Sequence, residues 1–210
     1  MIEIVDSPLG LTVAGAGPDL LRELLAEVEA IVASLTPQYL QSERSGVKFW
    51  QGPRPGLSEA EIRERLALIG VEPPAEVVTW WSWHDGWEIP LSMSPITLQR
   101  SIQQRTEQED LGTELDQWNP DWLWVAGASN DAIAVRCNPV EEPPLVRRLS
   151  PWVYGFQPDG VVEHQVVSLC TPTAMMLNAI ESEQIRVVDG EWKYPNRREI
   201  PHKWNLTQLA

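Results

Sequence analysis

The chain has 210 residues, of which 43% are hydrophobic and 22% are charged, so it is long enough and apolar enough to fold around one good core. Its net charge of −14 at pH 7 disfavours direct binding to DNA, RNA or anionic membrane surfaces, because like charges repel at long range. No stretch approaches the roughly 18 apolar residues of a membrane span, and no basic residue precedes Arg22, so we expect a soluble, cytoplasmic protein.

The first predicted element is an amphipathic helix from Leu20 to Leu35. Apolar residues at helical spacing form a broad stripe along it: Leu21, Leu24, Leu25, Val28, Ile31, Val32 and Leu35. Three acidic residues lie largely off that stripe: Glu23, Glu27 and Glu29. Asp19 is a candidate N-cap, and Thr36-Pro37 is a candidate stop signal. Because the stripe needs a surface to pack on, we expect residues 1–54 to form an N-terminal helical extension docked on the next domain.

The segment Pro55-Gly-Leu-Ser-Glu-Ala-Glu-Ile62 is typical of a helix start. Ser58 can cap the free amides of the first turn, and Glu61, three residues later, completes a capping box. Gly70 lies where a left-handed C-terminal cap belongs, since glycine reaches positive φ without a steric penalty. A short, capped helix is therefore predicted between these signals.

The segment Pro73-Pro-Ala-Glu-Val-Val-Thr-Trp-Trp-Ser-Trp-His-Asp-Gly86 predicts a second helix directly after the first. The two prolines prevent the first helix from continuing and fix the backbone for the next one. Asp85-Gly86 supplies the turn that ends it. The second predicted helix contains Val77, Trp80, Trp81 and His84.

This pair of helices resembles the SUKH superfamily, in which a Gly-Leu-Ser-type cap, a helix, a Gly-x-x-Leu-Pro break and a second helix ending in Asn-Gly or Asp-Gly open the domain. The resemblance covers about residues 55 to 180. Downstream, Trp122-Leu-Trp-Val-Ala126 and Ser129-Asn-Asp-Ala-Ile-Ala-Val135 resemble two strands of the family. Members include many bacterial immunity proteins paired with polymorphic toxins, often nucleases, and fungal regulators of cell-wall assembly. The resemblance implies a protein-binding domain.

The pattern of helix and strand signals becomes weaker between Leu91 and Asn119. Within this region and just after it, the segment from Thr106 to Asp121 contains no lysine or arginine. Its acidic residues are Glu107, Glu109, Asp110, Glu114, Asp116 and Asp121. We predict a variable loop here. Composition does not decide whether such a loop is functional or disordered.

Short strand-like runs separated by turn signals occupy the second half of the chain and predict a mainly antiparallel sheet. The runs are Trp122 to Gly127, Ala132 to Cys137, Leu145 to Arg148, Trp152 to Phe156, and Val161 to Leu169. Thr171, followed by Pro172, is a candidate cap for a closing helix. Asp189-Gly190 suits a tight turn in a final hairpin from Ile185 to Tyr194.

Together these elements predict an α+β fold, with a mainly antiparallel sheet packed against helices, an N-terminal helical extension and a C-terminal hairpin. We expect one compact globular unit with three parts. They are the extension at residues 1–54, a SUKH-like core at 55–182, and the hairpin and tail at 183–210.

No catalytic motif is present: the chain has no glycine-rich phosphate loop, no Gly-x-Ser-x-Gly, no His-Glu-x-x-His and no Cys-x-x-Cys. We expect Cys137 and Cys170 to be buried thiols. Cys170 and His164 could be a nucleophile and its base, but nothing in the sequence distinguishes this pair from a chance occurrence. His84-Asp85 resembles the metal-binding pair of certain phosphohydrolases but lacks the partner residues upstream, so it is interpreted as the polar end of a helix. We therefore predict no catalytic, cofactor or metal site.

Eleven tryptophans in 210 residues is a high number. A helix turns by about 100° per residue, so Trp80, Trp81 and Trp83 cannot all point at the core, and Trp80 and Trp81 fit the buried face. Two interpretations stay open for Trp83 and Trp87. Either they are partly exposed and contact a protein partner, or the N-terminal helix or the tail covers them.

The leading hypothesis is a non-enzymatic immunity protein that neutralises a basic, possibly nuclease, toxin. An acidic surface can steer a basic partner, and a few aromatic anchors can then add affinity. Candidate steering residues are Asp110, Glu114, Asp116 and Asp121, and candidate contacts are Trp83, Trp87 and Glu88. A regulatory scaffold in signalling or envelope assembly is the alternative, and an enzyme ranks below both. The acidic surface can also serve solubility alone, and the oligomeric state stays open.

Overall fold

A computed structural model describes residues 4–7, 10–40, 52–87, 94–110, 121–128, 131–149, 165–181, 186–188 and 191–193. The helices within these ranges are α1 (Pro18–Leu40), α2 (Glu59–Ala67), α3 (Ala75–Trp83), α4 (Leu98–Asp110) and α5 (Cys170–Glu181). The strands are β1 (Ile4–Ser7), β2 (Gly10–Val13), β3 (Trp122–Ala128), β4 (Asp131–Arg136), β5 (Leu145–Leu149), β6 (Gln165–Val167), β7 (Arg186–Val188) and β8 (Glu191–Lys193). None of the helices in this part of the chain combines the length and the apolarity that crossing a membrane requires.

The centre of the fold is a four-stranded antiparallel sheet in the order β3-β4-β5-β6. Alternate residues of its strands turn one face into the core: Leu123, Val125, Ile133, Val135, Val146 and Val166. Side chains of α1, α3 and α5 join the same apolar cluster. The predicted α+β fold with an antiparallel sheet packed against helices is therefore confirmed. Residues 150–164, which include the predicted strand from Trp152 to Phe156, lie outside the described residues.

The N-terminal region contains more than the predicted helix, because an antiparallel hairpin of β1 and β2 precedes it. The predicted cap of α1 is wrong: the helix starts at Pro18, whose missing N–H suits the first helical position, and Asp19 lies inside the first turn beside Arg22. The predicted stop is also wrong, since α1 runs through Pro37 to Leu40. A proline removes only one main-chain hydrogen bond, and here that loss does not end the helix.

Helix α2 has the predicted end signals. The Glu61 amide donates to Ser58 Oγ at 3.3 Å, and Glu61 Oε2 accepts from the Ser58 amide at 2.9 Å, which completes the capping box. At the other end, Gly70 has a φ of +68°, and the amides of Gly70 and Val71 donate to Ala67 and Leu66. This is a Schellman motif, so the capping predictions are confirmed for both ends.

The segment before α2 runs closely past the end of α3. The Leu57 amide donates to the Trp81 carbonyl at 2.9 Å, and the Arg54 amide donates to the Gly86 carbonyl at 3.1 Å. Gly56 lies between these contacts, and a Cβ atom added there would fall 1.9 Å from the Ser82 carbonyl oxygen. Glycine is required at this position because two backbones meet without room for a side chain.

The loop predicted from Thr106 to Asp121 is wrong for its first part, since α4 extends to Asp110. Two oxygens cap this helix: Asp85 Oδ1 accepts from the Leu98 amide at 2.7 Å, and Thr97 Oγ1 accepts from the Arg100 amide at 3.1 Å. The polar composition of α4 gave no clear helix signal in the sequence. The helix is stabilised by these caps and by packing against β3. Residues 111–120 lie outside the described residues.

Helix α5 starts at Cys170, so Thr171 is not its cap. The Thr171 hydroxyl instead donates to the Val167 carbonyl at 2.6 Å and accepts from the Val13 amide at 3.2 Å, which ties β2 to this helix. Ser168 takes the capping role, because its Oγ accepts from the Cys170 amide at 3.0 Å.

The C-terminal hairpin is confirmed by the antiparallel pairing of β7 with β8, in which Val188 lies opposite Glu191. Its turn, Asp189-Gly190, lies outside the described residues.

A fully buried carboxylate joins three distant parts of the fold. Glu76, in the first turn of α3, has 0% exposure. Its Oε1 accepts from the Gly17 amide at 2.8 Å and the Ser168 hydroxyl at 2.7 Å, and its Oε2 accepts from the Leu169 amide at 2.7 Å. Ser168 has a φ of +71°, a conformation that this network holds in place. Glu76 therefore fixes the starts of α1 and α5 relative to α3.

Candidate functional site

Aromatic rings cluster at the C-terminal end of α3. The ring centroid of Trp83 lies 4.5 Å from that of His84, 5.4 Å from that of Trp87 and 6.1 Å from that of Trp80. Trp80 is anchored in the core, where its Nε1 donates to the Val125 carbonyl at 3.0 Å. Trp83 is only half-buried. The cluster thus runs from the core to the surface, with Trp83 as its outer member.

Helix α1 adds an acidic side chain to this cluster. Glu29 Oε2 accepts from Trp83 Nε1 at 3.1 Å and lies 3.6 Å from His84 Nε2. The Glu29 side chain is 50% exposed, whereas that of His84 is 13% exposed. An exposed carboxylate is therefore held beside a half-buried indole. We define Trp83, Glu29 and His84 as the aromatic-acidic site.

His84 is fixed by the segment that precedes α2. Its Nδ1 lies 3.0 Å from the Arg54 carbonyl oxygen. Because a carbonyl only accepts, Nδ1 must carry the proton of this hydrogen bond. The ring is thereby oriented with Nε2 toward Glu29, and Nε2 has no hydrogen-bond partner among the described residues. The prediction that His84-Asp85 forms the polar end of a helix is confirmed, since His84 ends α3 and Asp85 caps α4.

The structure separates the two tryptophans that were predicted as partner contacts. Trp83 is half-buried, but Trp87 is only 5% exposed, so the expectation of partial exposure is wrong for Trp87. The rings of Trp83 and His84 pack against Trp87. The alternative, cover by the N-terminal helix, describes part of the environment of Trp83, because Glu29 belongs to that helix.

The described residues include two of the four predicted steering residues, Asp110 and Asp121. Asp110 is the last residue of α4. Asp121 directly precedes β3, and its Oδ1 accepts from Asn138 Nδ2 at 2.9 Å. Glu88, Glu114 and Asp116 lie outside the described residues.

A second aromatic contact lies on the sheet, on the face opposite the core-facing residues Leu123 and Val146. Arg147 of β5 stacks over Trp122 of β3, with its guanidinium carbon 4.2 Å from the ring centroid. Burial lowers the pKa of Arg147 to about 10. Trp122 is itself 4% exposed, so this pair is an internal contact.

Both cysteines are buried thiols, as predicted. Burial raises the pKa of Cys137 to about 12 and that of Cys170 to about 11. At neutral pH both are protonated, and the thiolate is the reactive form.

We expect both thiols of the native protein to react with Ellman's reagent at least about a hundredfold more slowly than in denaturant. Burial blocks the reagent and keeps the sulfur protonated. Absorbance of the released thiolate measures the rate, with the urea-unfolded chain as control. A native thiol as fast as an unfolded one would contradict this assignment.

Within the described ranges, no three His, Cys, Asp or Glu side chains lie close enough together to hold a metal ion. No protein-family model matches the chain, and no curated protein matches it.

The sequence indicated Trp83 but not its acidic neighbour. In the sequence, Glu29 is one of three glutamates that lie off the apolar stripe of α1. It precedes Trp83 by 54 residues, so no local pattern connects the two. Its flank position was the available signal, because a residue at the edge of a buried stripe lies next to the adjoining helix.

Proposed function

We propose that this chain is a non-enzymatic protein-binding domain, specifically an immunity protein that neutralises a basic toxin through an acidic, tryptophan-containing surface. The observation that supports it most is the half-buried Trp83 beside the exposed carboxylate of Glu29. Tryptophan is enriched among the residues that dominate binding energy at protein interfaces. The resemblance of residues 55 to 180 to the SUKH superfamily points to the same class of function.

The charge of the surface suits a basic partner. Helix α1 has one cation, Arg22, and this cation pairs with Asp19 of the same helix. Glu23, Glu27 and Glu29 are exposed. In a chain with a net charge of −14, such groups produce a negative field that accelerates encounter with a positively charged surface. A nuclease toxin is a basic partner of this kind, since it binds phosphate.

Association with the cognate toxin should therefore slow steeply as salt rises, because salt screens long-range attraction. The product of a toxin gene beside the gene for this chain is the protein to test, with stopped-flow fluorescence measuring the association rate. We expect a fall of about tenfold or more between about 0.02 and 0.5 M NaCl. An association rate that does not change with salt would contradict steering.

A matched pair of variants tests where the steering charge lies. D110N/E114Q/D116N removes three of the candidate steering charges, and E59Q/E64Q/E72Q removes three exposed charges on α2 and just after it. We expect the first variant to associate more slowly than the second. Equal rates would show that net charge alone steers the partner, which would overturn the assignment of residues 107–121 to this role.

A further inference from the structure

Glu29 and Trp83 together offer the two kinds of group that bind a guanidinium ion. Both described contacts of Glu29 use Oε2, and Oε1 has no hydrogen bond or ion pair within the described part of the chain. Trp83 is only half-buried, so part of this residue is exposed. Arginine stacks on aromatic faces and pairs with carboxylates through a planar fork of N–H donors.

We infer that Glu29 and Trp83 bind an arginine side chain of the basic partner, an inference that rests on the function proposed above. The guanidinium stacks against the exposed part of Trp83, and its N–H groups donate to Glu29. The Trp83 Nε1–H bond to Glu29 holds the carboxylate beside the ring, so the site is organised before the partner arrives.

The geometry excludes a cation enclosed between the rings. The centroids of Trp83, His84 and Trp87 lie 4.5 to 5.4 Å apart, which is direct ring contact. An ammonium group between them would need each ring several ångströms farther from the others. A cation bound here therefore contacts the exposed part of Trp83, where a flat guanidinium stacks better than a compact ammonium.

Helix α1 provides an internal control for charge. Glu23 is also exposed, but it lies six positions before Glu29, which places it about 240° around the helix. Removing either carboxylate changes the net charge equally. Only Glu29 lies beside Trp83.

The test uses Nα-acetyl-arginine amide as the probe and Nα-acetyl-citrulline amide as its neutral analogue of the same shape. Indole Nε1–H resonances of the ¹⁵N-labelled full chain report binding, and W83F identifies the Trp83 signal. We expect the arginine probe to shift the Trp83 resonance saturably and the citrulline probe to leave it unchanged. E29Q should weaken binding by about tenfold, whereas E23Q should match the wild type.

Equal effects of the arginine and citrulline probes, or equal losses in E29Q and E23Q, would overturn the inference. Binding of Nα-acetyl-lysine amide as strong as that of the arginine probe would overturn the preference for arginine. The titration contains no partner protein, so its failure leaves the proposed function intact. Conversely, failure to find a basic partner would refute the proposed function without changing the result of the probe.

Discussion

Replacing Glu76 by alanine should lower the free energy of unfolding by about 3–5 kcal/mol. The substitution leaves three donors without their acceptor: the amides of Gly17 and Leu169 and the hydroxyl of Ser168. It also opens a cavity at a fully buried position. Urea unfolding followed by tryptophan fluorescence measures the change.

Glu72 provides the control for E76A, because it is exposed and lies just before α3. E72A should change the free energy of unfolding by no more than about 0.5 kcal/mol. A loss below about 1 kcal/mol in E76A would show that this network does not hold the three elements together.

The same residue gives stability a defined pH dependence. Burial raises the pKa of Glu76 above 4.5, although its hydrogen bonds from Ser168, Leu169 and Gly17 act in the opposite direction. The folded chain therefore binds this proton more readily than the unfolded chain, so Glu76 adds stability as pH falls through its folded pKa. The unfolding free energy of the wild type minus that of E76Q should therefore rise as pH falls toward 4.5. A wild type that loses stability relative to E76Q on acidification would contradict the raised pKa.

Gly56→Ala should destabilise the protein by about 3 kcal/mol, because the new Cβ would lie 1.9 Å from the Ser82 carbonyl oxygen and 3.0 Å from that of Trp83. To make room, the segment before α2 must move away from the end of α3. The Trp83 indole resonance should shift as well, since Arg54 of the same segment holds His84.

Gly52→Ala is the matched control, because a Cβ at that position meets nothing within 4 Å. Thermal unfolding of the two variants gives the comparison, and G52A should resemble the wild type. If G56A were as stable as G52A, the two backbones would not be in the close contact described above.

The residues that carry the family resemblance have structural roles in this chain. Gly56 permits the close approach to α3, Ser58 caps α2, and Gly86 adopts a φ of +97° against Thr97. Their pattern therefore reports how the domain folds. The binding surface has to be sought among exposed side chains such as Glu29 and Trp83.

The sequence predicted elements whose signals are local. The capping box of α2, the strands of the sheet and the C-terminal hairpin each depend on residues within a few positions of one another. Helix α4 was missed because its composition is polar and one of its caps, Asp85, lies 13 residues before its partner Leu98. Periodicity cannot reveal a cap at that distance.

The site was only partly predictable for the same reason. Trp83 stood out by its position on the helix, whereas its partner Glu29 belongs to another helix. Glu76 looked like an ordinary acid in a first turn, but its donors lie 59, 92 and 93 residues away in the chain. Such contacts arise only when the elements pack.

Affinity capture from the native host, with mass spectrometry of the retained proteins, tests the central claim most directly. The full chain is immobilised, and bound proteins are eluted with rising salt. A basic toxin domain that is retained at low salt and released by about 0.5 M NaCl is the predicted result. Retention of no protein, or only of an acidic protein that salt does not release, would contradict the account.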